Sequence, residues 1–202
     1  MFDNVTGIVL AGGESRRMGQ PKAAIDVEGT PLLKKSVQLF KELFPRVIAI
    51  SKKTGSFGNV GCEESGDLFP GMGPMVGILT AFKITASDYL FVAACDMPFL
   101  NRKVIELIVE EGQGYDVALP KIGGKGDPLH ALYSKNCYHK MLSFMEKGGR
   151  SLNRFINALH RESVRYIGEE EIKKVDPHAL SLFNMNTPEE LEKAKQLIKG
   201  GK

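Results

Sequence analysis

Cysteine is sparse in this 202-residue chain, and its three copies form no Cys-x-x-Cys pair. Cys62, Cys95 and Cys137 are odd in number and far apart, which reads as free thiols in a reducing compartment and excludes a disulfide framework. The four histidines, His130, His139, His160 and His178, are scattered too, whereas zinc wants clustered ligands. No apolar run reaches the length of a membrane span, and Met1-Phe2-Asp3-Asn4 does not open a signal peptide, so the expected location is the cytoplasm. A net charge of +3 is too small to argue for nucleic acid or an anionic membrane. Repeats, low-complexity tracts and Pro/Gly/Ser-rich linkers are missing as well, so residues 1–202 are expected to form one domain.

What is present is the composition of a soluble globular protein, 43% hydrophobic and 25% charged. Strand and helix signals alternate. Thr6–Leu10, Arg46–Ser51 and Asp88–Ala94 read as buried strands, and Asp116–Leu119, Leu129–Tyr133, Ser163–Ile167 and Leu182–Asn184 as further extended pieces. Ala23–Val27 reads as a short strand. Helices are expected over Pro31–Phe44, Met75–Ala86, from Asn101 onward, over Ser134–Lys147, Ser151–His160 and Pro188–Gly200. Asn101 is a cap candidate, and Thr187 with Glu190 has capping-box spacing. The Gly-rich stretch from Gly55 to Gly77 reads as a long loop without structure of its own. Such alternation predicts an α/β fold: a three-layer α/β/α sandwich around a Rossmann-like, mostly parallel sheet. Ligands of such sheets sit beyond the carboxyl ends of the strands.

The stretch Leu10-Ala11-Gly12-Gly13-Glu14-Ser15-Arg16-Arg17-Met18-Gly19-Gln20-Pro21-Lys22 hangs on the end of the first strand. Side chains almost vanish at Ala11-Gly12-Gly13, so backbone N–H groups can approach a ligand closely. Two guanidinium groups and an ammonium follow, which suits a polyphosphate. The spacing is neither the P-loop, because Gly19 is followed by Gln20-Pro21-Lys22, nor the dinucleotide Gly-x-Gly-x-x-Gly fingerprint. Asp96 ends the third buried strand; it can cap the following turn or hold Mg²⁺ beside a polyphosphate. Asp67 can be an ordinary turn residue, Asn186 a helix cap, and His130 a satisfied core histidine. No Ser–His–Asp arrangement can be assembled from the spacings.

The Leu10–Lys22 motif resembles the signature of nucleotidyltransferases that activate small phosphorylated compounds. Within them the chain resembles the molybdenum cofactor guanylyltransferase family. Four more segments agree with it: Asp67 ahead of Gly73-Pro74 and Gly77; Cys95-Asp96-Met97-Pro98; Pro128-Leu129-His130-Ala131-Leu132-Tyr133; and Asn184-Met185-Asn186-Thr187-Pro188-Glu189-Glu190-Leu191. The resemblance implies a nucleotide-diphospho-sugar transferase-like fold and transfer of GMP from GTP to molybdopterin, with Mg²⁺ as cofactor. By position, Leu10, Ala11, Gly12, Gly13 and Lys22 would hold GTP, Asp67 its nucleoside part, and Asp96 both nucleotide and metal. Arg150, Asn184 and Asn186 would face the pterin. Lys22 and Arg17 would stabilise departing pyrophosphate, Arg17 by charge alone. A family contact near Ser51 or Lys52 has no clear match here. Implied partners are the two small substrates, other cofactor-biosynthesis proteins and acceptor molybdoenzymes. Gly12-Gly13 and the Asn-x-Asn at 184 and 186 speak against the cytidylyl relatives, which usually read Ala-Gly and Asp-x-Asp. Other rivals are a different small-molecule phosphate nucleotidyltransferase and a non-catalytic GTP-binding module.

Overall fold

The apolar run near the amino terminus forms a strand buried along its whole length, and the other layers are hung on it. The computed structural model describes residues 1–12, 25–27, 30–56, 58–71, 73–185 and 187–200. Of the expected site residues, Gly13, Arg17, Lys22 and Asn186 lie outside the described residues. In chain order the elements are β1 (Val5–Leu10), β2 (Asp26–Val27), β3 (Thr30–Pro31), α1 (Leu32–Leu43), β4 (Arg46–Ser51), β5 (Glu63–Gly66), α2 (Pro74–Ile84), β6 (Tyr89–Ala94) and α3 (Arg102–Gly112). There follow β7 (Val117–Ile122), β8 (Lys125–Gly126), β9 (His130–Ser134), α4 (Cys137–Glu146), α5 (Leu152–Ala158), β10 (Val164–Gly168), α6 (Glu169–Val175) and α7 (Pro188–Gly200). Short 3-10 turns occupy Arg161–Ser163 and Leu180–Leu182.

The main sheet runs β10-β7-β9-β6-β1-β4-β5, with β8 added against β7. β1 is parallel to both neighbours, β5 is parallel to β4, and β10 is parallel to β7. Only β9 breaks the direction within that row, running antiparallel to β6 and β7. The mostly parallel sandwich is thus what the sequence led one to expect, with one reversed strand inside it.

Each face of the sheet carries its own core. On one side Phe40 and Phe44 of the α1 region, Val104 and Ile108 of α3 and Ile172 of α6 pack with Val5, Val9 and Phe91. On the other, Met75 and Ile78 of α2, Met141 of α4 and Phe155 of α5 pack with Ile8, Leu10 and Tyr133. A third cluster ties α7 down: Ala194 and Met185 meet Ile25 and Leu32. Gly7 has a packing reason, since a Cβ there would come within 2.7 Å of Phe44 and 2.8 Å of Phe40. Those two rings and Phe91 form an edge-to-face and stacked triangle over the bare strand. α1 ends where Phe44 turns extended ahead of Pro45, as the residue before a proline must.

Local signals hold at several termini. Asn101 Oδ1 accepts from the Lys103 N–H at 2.9 Å. Thr187 and Glu190 exchange bonds of 3.0 and 3.2 Å, a complete capping box at the start of α7.

Three expectations are corrected. The Gly-rich stretch is not without structure, because Glu63–Gly66 adds an edge strand beside β4. α4 begins at Cys137 and not Ser134, whose residue still pairs in β9 opposite Tyr89. Leu182–Asn184 is no strand: a 3-10 turn ends at Leu182 and the chain then runs irregularly across the carboxyl edge of the sheet. The cause lies upstream. Asp176 accepts the Ser181 N–H at 2.8 Å on its carboxylate, and Ala179 adopts φ 49°, so the segment is wound into turns before it could pair. No helix among the described residues is long and apolar enough to cross a membrane.

Candidate active site

The carboxyl edge of the sheet is sewn together at its middle. The Ala11 N–H donates to Ile50 O at 2.8 Å and the Cys95 N–H to Leu10 O at 3.0 Å, so β1 is clamped between β4 and β6 to its last residue. The chain then emerges at Gly12, which is exposed. Gly12 needs no positive φ, and a Cβ there would only touch Ser51 Cα at 3.7 Å and Lys52 N at 3.8 Å among the described residues. Neither conformation nor described packing therefore demands glycine at this position.

Asp96 follows directly, 9% exposed, and its carbonyl accepts the Met185 N–H at 3.0 Å. That bond brings the irregular 183–185 segment onto the end of β6. Asn184 is thereby set beside Asp127, to whose Oδ2 its Nδ2 donates at 3.3 Å. Asp127 enters β9 through an Asp-Pro turn, and its Oδ1 accepts the Leu129 N–H at 3.0 Å. Burial pushes the Asp127 carboxyl up; the bonds from Leu129 and Asn184 pull it down, and the charge of Asp96 raises it again. Asp96 and Asp127 thus sense one another across the site. Sequence reading passed over Asp127, because only the reversal of β9 puts its first turn beside the end of β6.

Asp67 lies half-buried after β5, at the β4 side of the same edge. Burial raises its carboxyl and the charge of Lys52 lowers it. The next residue is anchored to α2, the Leu68 N–H donating to Thr80 Oγ1 at 3.0 Å. Ser51 and Lys52, unmatched in the sequence, lie beside Gly12, and Lys52 also acts on Asp67 while Ser51 pairs with Gly66. Gly77 lets α2 sit down on this edge: a Cβ would come within 2.8 Å of Leu10.

Arg150 is not joined to this group by any described contact. It is exposed past the end of α4, and its Nη1 donates to Met145 O in the last turn of that helix at 2.8 Å and to Gly149 O beyond it at 2.7 Å. His130 is buried, but it is not the satisfied histidine expected. Both ring nitrogens lack a partner among the described residues, and burial pushes the imidazole down to about 3. Ser181 is buried, its hydroxyl has no partner among the described residues, and Asp176 is bonded to the Ser181 backbone, so these residues do not form a nucleophilic triad. A cavity of about 660 Å³ lined by Phe82, Tyr138, Lys83 and Lys135 opens at the opposite edge, near the first residues of β1 and β6, where such sheets do not bind nucleotides.

The family model of the MobA-like NTP transferase domain matches residues 7–164. The chain belongs to this family. A probable molybdenum cofactor guanylyltransferase of Pelotomaculum thermopropionicum is 34% identical over 98% of this chain and 95% of its own. The molybdenum cofactor guanylyltransferase of Desulfosudis oleivorans is 33% identical over 100% of this chain and 99% of its own. The crystal structure of molybdopterin-guanine dinucleotide biosynthesis protein A from Archaeoglobus fulgidus superposes with a TM-score of 0.85 at 26% identity, covering 96% of this chain and 99% of that one. Membership makes the chain a nucleotidyltransferase of the MobA-like type, with the nucleotide-diphospho-sugar transferase-like fold. The matched span includes the Leu10–Lys22 motif, Asp67, Asp96 and Asp127, and ends before Asn184.

Proposed function

We propose that the protein transfers GMP from GTP to the terminal phosphate of molybdopterin, giving the guanine dinucleotide cofactor and pyrophosphate. An oxygen of the acceptor phosphate forms the new bond to the α-phosphorus of GTP, and the bond from that phosphorus to the bridging β-phosphate oxygen breaks. The acceptor is already an anion and needs no general base. The difficulty is to bring two anions into line and to spread charge onto the leaving pyrophosphate, so catalysis is positioning and electrostatics.

Each residue then has a physical task. Backbone amides from Leu10 to Gly13 receive the phosphate tail of GTP, with Lys22 and Arg17 balancing the charge of pyrophosphate. Asp67 faces the nucleoside. Asn184, with Asn186, faces the pterin; Arg150, engaged by the carbonyls of Met145 and Gly149, serves that end only by turning away from them. The observation that carries the reading is the stitching of Leu10, Asp96 and Met185 into one edge by main-chain bonds.

The residues also fit Mg²⁺. Among the described residues no group of three His, Cys, Asp or Glu could hold a metal, but magnesium commonly takes one or two carboxylates and completes its shell with waters and phosphates. Asp96, at the end of β6 beside the emerging Leu10–Gly12 backbone, supplies one such carboxylate. When bound, the ion neutralises phosphate charge and acts as a Lewis acid. The cytoplasm follows from the substrates and is proposed on the same footing.

The test is turnover with GTP, Mg²⁺ and molybdopterin, followed as pyrophosphate release. Asp96→Ala should abolish release while the far-ultraviolet spectrum stays native; normal release in that variant refutes the metal assignment. CTP in place of GTP should not support turnover. GTP binding without release in the wild type would instead mark a binding module.

A further inference from the structure

We propose that Asp127 is a positioning residue that fixes the amide of Asn184, presenting its Oδ1 as the acceptor for an N–H donor of the pterin ring. The inference rests on the reading that Asn184 faces the acceptor substrate.

The geometry is a short chain of holds. The Asp127 main chain is pinned on both sides, its N–H donating to Pro120 O at 3.0 Å and its carbonyl accepting the His130 N–H at 3.3 Å. Pro128 follows and removes freedom at the next φ. One carboxylate oxygen is taken by the Leu129 N–H at 3.0 Å, and the other receives Asn184 Nδ2 at 3.3 Å. An ionised carboxylate can only accept, so it binds the amide by its nitrogen alone. Turning the amide over would lose that bond and set its oxygen against a carboxylate. The oxygen is therefore obliged to point the other way.

There the structure holds a loose end. Asn184 Oδ1 is buried and lacks a hydrogen-bond partner among the described residues. Buried acceptors are almost always satisfied, and an orphan calls for an explanation such as a ligand that completes it. The location supplies one: Met185, the next residue, is bonded to the carbonyl of Asp96 at the end of β6, where the two substrates must meet. A pterin carries ring N–H and amino donors, and one of these would satisfy Oδ1. A ligand presenting an acceptor there would be rejected, because two lone pairs would face each other in a buried setting. Asp127 would thus act on acceptor recognition through Asn184 without touching the substrate.

The closing experiment measures Asp127→Asn, Asn184→Ala and the double variant, each checked for native fold by thermal melting. Molybdopterin binding is followed by its fluorescence without GTP, and turnover with KM for both substrates. Asparagine keeps the size of Asp127 but can donate as well as accept, so the amide of Asn184 loses its enforced orientation. Asp127→Asn should weaken molybdopterin binding and raise its KM by about tenfold, the scale of one lost hydrogen bond, with the KM for GTP unchanged. The double variant should be no worse than Asn184→Ala alone, because the two residues act as one unit. Losses that multiply, a changed KM for GTP, or a higher Mg²⁺ requirement in Asp127→Asn would overturn the proposal and move Asp127 to the nucleotide end. Unaltered pterin binding in Asp127→Asn beside an active wild type would overturn it alone. A wild type that releases no pyrophosphate refutes the guanylyl-transfer reading, and the pterin-binding comparison then still decides whether Asp127 orients Asn184.

Discussion

Glycine at position 12 is a residue that nothing in its described surroundings requires. Its φ is ordinary, and a methyl group would find Ser51 and Lys52 at comfortable distances. Gly12→Ala should therefore leave the melting temperature close to that of the wild type and raise the KM for GTP, a split seen by pairing thermal melts with kinetics. Gly7 is the opposite case. Gly7→Ala presses a methyl group into Phe40 and Phe44 and should cost about 1–3 kcal/mol in denaturant unfolding without altering KM for either substrate. His130 gives the fold a dependence on acidity. Its folded-state value of about 3 lies below the ordinary 6.5, so the unfolded chain takes up the proton first. The stability from a neutral His130 is complete above about pH 6.5 and is lost as pH falls toward 3, on the order of a few kcal/mol in all. His130→Leu should flatten the unfolding free energy across that window, read from denaturation curves at successive pH values.

Among the elements, α7 does the least obvious work. It lies outside the family match, yet its capping box and the Ala194–Met185 contact hold the segment that carries Asn184. Thr187→Ala should remove about 1 kcal/mol of stability and raise the KM for molybdopterin more than that for GTP, since the disturbed end carries Asn184, which we propose faces the pterin. How far the chain could be read in advance is clearest at this scale. The capping box, the Asn101 cap and the buried strands are local signals, written in neighbouring residues, and they appear in the structure as spelled. Leu182–Asn184 reads as extended in the sequence, but the turns that wind it are imposed by Asp176, several residues upstream. Asp127 is silent in the sequence for a related reason. Its place beside Asn184 and Asp96 comes from which strands lie side by side, and no periodicity records that order.

For the whole molecule, the site is one edge of one sheet, and ligand there should stabilise everything stitched to it. GTP with Mg²⁺ at about 100 times its dissociation constant should add roughly 2.7 kcal/mol to the unfolding free energy, while CTP at the same concentration should add far less. Differential scanning with each nucleotide measures the difference. The reversal of β9 has a wider effect. Because β9 runs against β6 and β7, the chain between β7 and β9, residues 123–129 with β8 inside it, overhangs the edge where Asp96 sits. A purely parallel arrangement would have spent that corner on a crossover to a helix. Here it is a hairpin tip whose length can change while every ladder of the sheet stays in register. A scaffold built this way can exchange its choice of acceptor by trading one overhang for another, leaving the grip on the nucleotide inherited and intact.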